Sequence, residues 1–356
     1  MNSMLRAGII EGFYGHPYKE YTRLAMIRMA SYLGFSFYIY APKNDISLRK
    51  NWTYELSAQD EENLAHCSYM TKNAGLDFAF GISPLGLTAN LNALLPVFKA
   101  KVQRLMSVTN ADFACLLFDD VPNQFSDLGK RQNCVIKAMR EAAGKDTEIW
   151  VCPTTYSDDP ILTRLYGPTD PSYFSDLISG LDSRIKFFWT GPKVLSPGFS
   201  YEDIKRADSL FKGRTVIWHN YPVNDGKTRA DRLYLGPYQR MRPCADKRIT
   251  AVAVNPMTEG ALSMIPLSTL IPALEGKPYD RLRAIRDNAA GELLGPHSEQ
   301  ILDIIRRIEN LGLEGTARDA LCALRALCKD QSGSLACDEI IDFLNGRYAF
   351  DPECLT

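Results

Sequence analysis

Short apolar runs recur along the chain at intervals of roughly 30–40 residues, each ending in polar or glycine residues and each followed by a stretch with helical spacing. The runs are Arg6–Glu11, Ser36–Tyr40, Asp77–Ile82, Phe113–Phe118, Glu148–Cys152, Ile185–Trp189, Thr215–Trp218 and Thr250–Val254. Between them, Thr22–Tyr32, Glu61–Ala74, Leu91–Val108, Asn133–Ala143, Pro171–Leu181 and Ser200–Leu210 place apolar residues on one face of a helix. Eight strand-like runs alternating with helices predict an α/β fold, a (β/α)8 TIM barrel. No repeat period supports a solenoid or a propeller.

Beyond Pro266–Leu274 the strand-like runs stop. Amphipathic stretches follow at Tyr279–Leu294, Ser298–Leu311, Thr316–Cys328 and Ala336–Leu344, separated by Gly295-Pro296 and Leu313–Gly315. The pattern divides the chain into a catalytic barrel over 1–275 and a small C-terminal helical bundle over 276–356. The stripe Ile301, Ile304, Ile305 and Ile308 suits packing against the chain's own neighbours, with a partner-binding face as the alternative.

A chain of 356 residues accommodates one barrel of about 250 residues and an appendage. With 41 basic and 42 acidic residues, the balance offers nothing to nucleic acid or an anionic membrane surface. No apolar run reaches the roughly 18 residues of a membrane span. Met1–Ser3 leads almost directly into the first strand without a signal-like apolar stretch, so a cytoplasmic protein is expected. The nine cysteines are scattered, and Cys322 and Cys328 lack a CxxC companion, which argues against a disulfide framework and a zinc site. The four histidines form neither HxH nor HExxH, so no metal and no cofactor are expected.

In a barrel of this kind the residues after each strand gather at one mouth. Here they are Glu11–Gly15, Ala41–Asp45, Asp119-Asp120, Pro153–Tyr156, Thr190–Pro192, His219–Asp225 and Asn255-Pro256. Carboxylates, carboxamides and hydroxyls dominate, and Lys43 is the main cation. That mixture of donors and acceptors fits a neutral polyhydroxy ligand.

Asp119 and Asp120 follow an apolar strand, where desolvation and mutual repulsion raise the pKa of at least one of two carboxyls. One then serves as a general acid; the plain alternative is a strand-ending Asp that caps the next helix. A two-carboxylate retaining glycosidase needs its groups about 5 Å apart on opposite sides of the scissile bond, and an inverting one needs a wider gap. Neighbours in sequence supply that poorly. With the substrate's 2-acetamido carbonyl as nucleophile, one aspartate can orient the acetamide while the other protonates the leaving oxygen.

Gly8–Pro17 (GIIEGFYGHP), Tyr40–Asp45 (YAPKND), Leu117–Val121 (LFDDV), Cys152–Tyr156 (CPTTY), Phe188–Pro192 (FWTGP), Leu233–Tyr238 (LYLGPY) and Asn255-Pro256 occur in this order. Together they resemble the O-GlcNAcase-like β-N-acetylglucosaminidases, glycoside hydrolase family 84, over Gly8 to about Leu270. The resemblance implies a (β/α)8 catalytic domain, an oxazoline intermediate, retention at the anomeric carbon and no cofactor. It assigns acetamide polarisation to Asp119, the general acid/base to Asp120 and a place beside the acetamido group to Tyr156. It also implies that Gly12 lends backbone to the sugar site and that Lys43 binds near the 3-OH. The same resemblance implies that Asn220 anchors the acetamido side, that Asp225 anchors the 4- and 6-hydroxyls, and that Asn255 completes the pocket. Trp218 and Trp189 are candidates for apolar walls or for barrel packing.

The chain departs from the family pattern at Asn44, where an acidic residue is usual, and at Leu85, where a glycine is common. The expected partner is a β-GlcNAc-bearing glycan or glycoprotein. Competing readings are a catalytically silent sugar-binding barrel and a hydrolase shifted towards N-acetylgalactosaminides or hyaluronan fragments.

Overall fold

The computed structural model describes residues 5–331 and 333–355; Met1–Ser3, on which the expectation of a missing leader rested, lie outside the described residues. Eight parallel strands close into a barrel in sequence order: β1 (Arg6–Glu11), β2 (Phe37–Tyr40), β3 (Asp77–Ile82), β4 (Phe113–Leu117), β5 (Glu148–Cys152), β6 (Ile185–Trp189), β7 (Thr215–His219) and β8 (Ile249–Val254). Closure comes from β1 pairing with β8, Arg6 opposite Ala251. The predicted strands differ only at their ends. Phe118 falls outside β4, although its N–H still donates to the Cys152 carbonyl at 2.8 Å.

The strands read as nearly continuous apolar runs because both faces are buried. Inward-facing Phe37, Phe113, Trp150 and Phe188 fill the barrel, with Ala79, Ala251 and Ala253 as their small counterparts. Gly8 belongs to the same fit, since a Cβ there would lie 2.4 Å from the Phe37 ring. Arg6 closes the floor. Its guanidinium lies 5.6, 5.2 and 5.3 Å from the ring centroids of Phe37, Phe113 and Trp150, and pairs with Asp77 at 2.8 Å and Glu148 at 3.2 Å. The interior is therefore a packed plug, and a ligand can enter only from the opposite mouth.

The outer layer contains α1 (Glu20–Tyr32), α2 (Ala58–Asn73), α3 (Leu91–Thr109), α4 (Leu128–Ala143), α5 (Pro160–Tyr166), α6 (Tyr173–Leu177), α7 (Tyr201–Phe211), α8 (Gly260–Leu267) and α9 (Leu270–Leu274). The sequence pattern missed α5, which begins with Pro160 behind an Asp159 cap that accepts from Ile161 N–H at 3.1 Å. It made α6 too long, and it began α4 five residues late because Gly129 and Gln132 interrupt the apolar stripe. Gly129 is required by close packing: a Cβ there would sit 2.4 Å from the Tyr173 carbonyl oxygen.

Four further helices, α10 (Tyr279–Leu294), α11 (Ser298–Gly315), α12 (Arg318–Lys329) and α13 (Leu335–Leu344), form the helical bundle. The α11 segment breaks at Gly312, whose φ of 74° is left-handed, beside the predicted Leu313–Gly315 separator. Ile301, Ile304, Ile305 and Ile308 pack with Leu262 and Ile265 of α8 and with Leu233 and Leu235, so this stripe covers the chain's own barrel. Among the described residues no helix is long and apolar enough to cross a membrane.

Glu339 of α13 accepts the first free N–H groups of α8, Ala261 and Leu262, at 2.9 Å each. Burial outweighs those donors and pushes the Glu339 carboxyl from 4.5 up to about 8, and Glu259 up to about 7. The folded chain then keeps protons that the unfolded chain has released. Their stabilising contribution is full below pH 4.5 and is lost as pH rises through 7 and 8. Calorimetric melting temperatures should fall between about pH 5.5 and 8.5, and Glu339→Gln should flatten the slope. Parallel slopes in the two proteins would show that Glu339 carries none of this dependence.

Candidate active site

The end of β4 delivers the doublet. The Asp119 side chain is 9% exposed, and Lys43, which follows β2 and is 4% exposed, donates to its Oδ2. An ammonium taken out of water needs such a partner, and so does the carboxylate. Burial works against the Lys43 charge, but Asp119 and Asp120 hold its pKa above the ordinary value. Burial pushes Asp119 up, with Lys43 opposing and Asp120 adding to the rise. Asp119 Oδ1 is buried and meets no donor among the described residues.

Asp120 turns the other way because its backbone is left-handed, with φ of 61°. Its Oδ2 accepts from the Tyr14 hydroxyl at 2.6 Å, and its Oδ1 from Tyr166 at 3.0 Å and Tyr156 at 3.2 Å. Burial and the Asp120 charge push all three phenols well above their ordinary range, so they remain protonated donors. The helix-capping alternative fails for this doublet: Asp127 precedes α4, and the Asp120 carboxylate accepts from phenols.

The opposite wall is a chain of amides. Gly12 N–H donates to Asn255 Oδ1 at 3.2 Å, Asn255 Nδ2 to Asn220 Oδ1 at 3.1 Å, and Asn220 Nδ2 to the Val194 carbonyl at 3.0 Å. Trp218 Nε1 also donates to Asn220 Oδ1, at 2.8 Å. Gly12 lies against that indole, where a Cβ would come within 2.7 Å of the ring. Asp225 accepts from Tyr14 N–H at 2.8 Å, and burial pushes its carboxyl up to about 6.

Gly12, Lys43, Asp119, Asp120, Tyr156, Trp218, Asn220, Asp225 and Asn255 all line one cavity of about 50 Å³. Three other mouth residues are placed elsewhere. Trp189 is 1% exposed and packs with Phe174 and Phe211 in the layer between barrel and helices, which decides it as packing. Glu11 points outward and is consumed by Arg23, Tyr38 and Tyr18 N–H. Burial lowers His219 to about 3, so the ring is neutral among Phe199, Tyr221 and Tyr238.

The sequence pattern missed Tyr14, Tyr166, Arg229 and Cys354, all in or against this site. Tyr14 was recoverable, because it sits within the EGFYG segment after β1. Tyr166 lies on the overlooked α5, and Cys354 arrives from the far end of the chain.

Comparison with known proteins sorts this geometry. A family model described as beta-N-acetylglucosaminidase matches residues 7–301. The chain belongs to that family. Protein O-GlcNAcases of Rattus norvegicus and Mus musculus are each 29% identical to it over 273 residues, 74% of this chain. The chain spans 29% of the length of these relatives. An O-GlcNAc hydrolase mutant from Thermobaculum terrenum superposes with a TM-score of 0.75 at 25% identity, covering 96% of this chain and 74% of that one. The matched region, residues 7–301, belongs to a glycoside hydrolase family. The β-N-acetylglucosaminidase match extends past the barrel into α11.

Replacing one member of a buried ion pair strands the other. Lys43→Met should lower the unfolding free energy by about 3 kcal/mol and nearly abolish hydrolysis of an aryl β-GlcNAc. The double variant Lys43→Met/Asp119→Asn should recover most of that stability without recovering activity. Denaturant titration beside an aryl glycoside assay checks both. A double variant no more stable than the single one would mean the pair is not what holds the site together.

Proposed function

We propose that this protein is a retaining exo-β-N-acetylglucosaminidase that removes terminal β-linked GlcNAc by substrate-assisted catalysis, with O-GlcNAc on Ser/Thr of proteins among its substrates. The observation that carries this reading is the unequal partnering of the adjacent carboxylates. Asp119 has one oxygen on Lys43 and one buried oxygen without a donor among the described residues, as an acceptor for an acetamide N–H requires. Asp120 has both oxygens on exchangeable phenol donors, as a group that must give and take a proton requires.

The steps follow. Asp119 accepts the acetamide N–H, which raises electron density on the acetamide carbonyl oxygen. That oxygen attacks the anomeric carbon as the glycosidic bond breaks, and Asp120 gives its proton to the departing oxygen. An oxazoline that keeps its N–H, its positive charge paired with the Asp119 carboxylate, and a free aglycone result. Water then attacks the anomeric carbon from the face the aglycone left, Asp120 takes its proton, and the oxazoline opens to GlcNAc with the β configuration restored. Tyr156, beside Asp120, holds the acetamido group for attack. Lys43 and Asp225 supply a donor and an acceptor for the ring hydroxyls, Asn220 anchors the acetamido side, Asn255 completes the pocket, and Trp218 gives an apolar face. The rat and mouse relatives are protein O-GlcNAcases, which motivates the choice of aglycone.

Asp120→Asn should cost at least about 100-fold in kcat/KM for an alkyl or peptide β-GlcNAc, and far less for a dinitrophenyl glycoside whose leaving group needs no proton. Equal losses would remove Asp120 from the acid role. In the wild type, a thiazoline mimic of the oxazoline should bind much more tightly than GlcNAc itself. Asp225 makes the gluco aryl glycoside the better substrate than its galacto epimer, and a reversed preference would redirect the reading to N-acetylgalactosaminides.

A further inference from the structure

We infer that the segment following α13, residues 345–355, is a strap that forms the leaving-group wall of the catalytic pocket and restricts the aglycone to small or slender groups. This inference rests on the assignment of Asp120 as the acid. The segment returns from the helical bundle to the barrel mouth and inserts Cys354, 5% exposed, into the cavity lined by Tyr14 and Asp120. A turn seats it: Asp351 Oδ1 accepts from Glu353 N–H and Asp351 carbonyl from Cys354 N–H, each at 3.0 Å.

At its start Arg325 of α12 donates to Asn345 Oδ1 at 2.9 Å, and the anchors of Asp351 and Glu353 lie on the loop after β2 that also carries Lys43. Asn44 Nδ2 donates to Asp351 Oδ2 at 3.1 Å, Arg49 Nη1 to Glu353 Oε2 at 2.8 Å, and Lys50 Nζ to Glu353 Oε1. Arg49 is 8% exposed, so its charge depends on Glu353 far more than a surface arginine would. An acidic side chain at position 44 would face the Asp351 carboxylate, whereas the asparagine present there donates to it. The Glu353 contact is continuous with the acid: Arg49 Nη2 donates to the Tyr14 hydroxyl at 3.4 Å, and Tyr14 donates to Asp120 at 2.6 Å.

The direction follows from the reaction. An acid that protonates the glycosidic oxygen stands on the leaving-group side of the sugar. Tyr14 and Tyr166 flank Asp120 there, and Cys354 lies within electrostatic reach of Tyr166. The aglycone must therefore pass the strap.

Two substitutions should move selectivity in opposite directions. Glu353→Lys opposes Arg49 and Lys50 and loosens the strap, and Cys354→Trp thickens it. The readout is the ratio of kcat/KM for a Ser-linked β-GlcNAc glycopeptide to that for a small aryl β-GlcNAc. Glu353→Lys should raise this ratio at least about 5-fold and Cys354→Trp should lower it by a similar factor, whatever happens to the absolute rates. Titration calorimetry with the same glycopeptide and with methyl β-GlcNAc, each variant carrying Asp120→Asn in addition, gives the corresponding ratio of Kd with turnover suppressed. Aryl hydrolysis with both ratios unmoved in both variants overturns the strap and leaves the glycosidase reading standing. Shifted Kd ratios in a chain that hydrolyses neither substrate keep the strap and overturn the reading. Failure to bind either ligand overturns both.

Discussion

The charge of Lys43 is the point on which the site turns. The barrel below it is filled by aromatic rings and sealed by Arg6, so no water and no second carboxylate can solvate an ammonium from beneath. Asp119 must meet it, and that contact fixes one carboxylate oxygen and leaves the other buried with no donor among the described residues. Two adjacent carboxylates could not both be treated this way. The left-handed backbone of Asp120 sends its side chain to a different set of partners, all uncharged donors. Sequence neighbours thereby acquire distinct environments, which is the condition for dividing labour between two aspartates.

The donors to Asp120 come from three separate elements: Tyr14 follows β1, Tyr156 follows β5 and Tyr166 ends α5. A closed barrel makes that convergence routine, because every strand end reaches the same mouth. The cost of burying phenols and carboxylates together is offset only while their hydrogen bonds are complete. The same reasoning explains the amide wall, where Gly12, Asn255, Asn220 and Val194 hold one another in register before any sugar arrives.

Much of this was legible in the sequence because barrel strands buried on both faces announce themselves as apolar runs, and the residues after them are forced to the mouth. Eight of the nine candidate site residues reach one cavity for that reason, and Trp218 reaches it from within β7. Direction within a strand end was harder to read. Glu11 lies between Ile10 and Gly12, and alternation sends it outward to Arg23 while both neighbours face inward; composition alone could not separate them. Trp189 and Trp218 both lie in apolar strands, and only the pleat decides that one meets helices and the other the pocket. Helix α5 is short and carries no long amphipathic stripe, so Tyr166 went unseen. Cys354 is more than 200 residues from either aspartate, and no local pattern encodes a contact of that separation.

The helical bundle is tied to the site by more than the apolar stripe of α11. Glu339 holds the start of α8, and Glu259, just before that helix, accepts from Asn224 Nδ2 at 2.9 Å. Asn224 also donates to the Arg232 carbonyl, while Arg232 donates to the carbonyls of Glu309 and Asn310 near the end of α11. The next residue along is Asp225, in the pocket. With its side chain held by Glu259 and, through Arg232, by α11, Asn224 restrains the residue after it, so the bundle contributes with Tyr14 N–H to where the Asp225 carboxylate stands. The barrel supplies the position of Asp119 and Asp120 by itself; the position of Asp225 it shares with helices that touch no sugar.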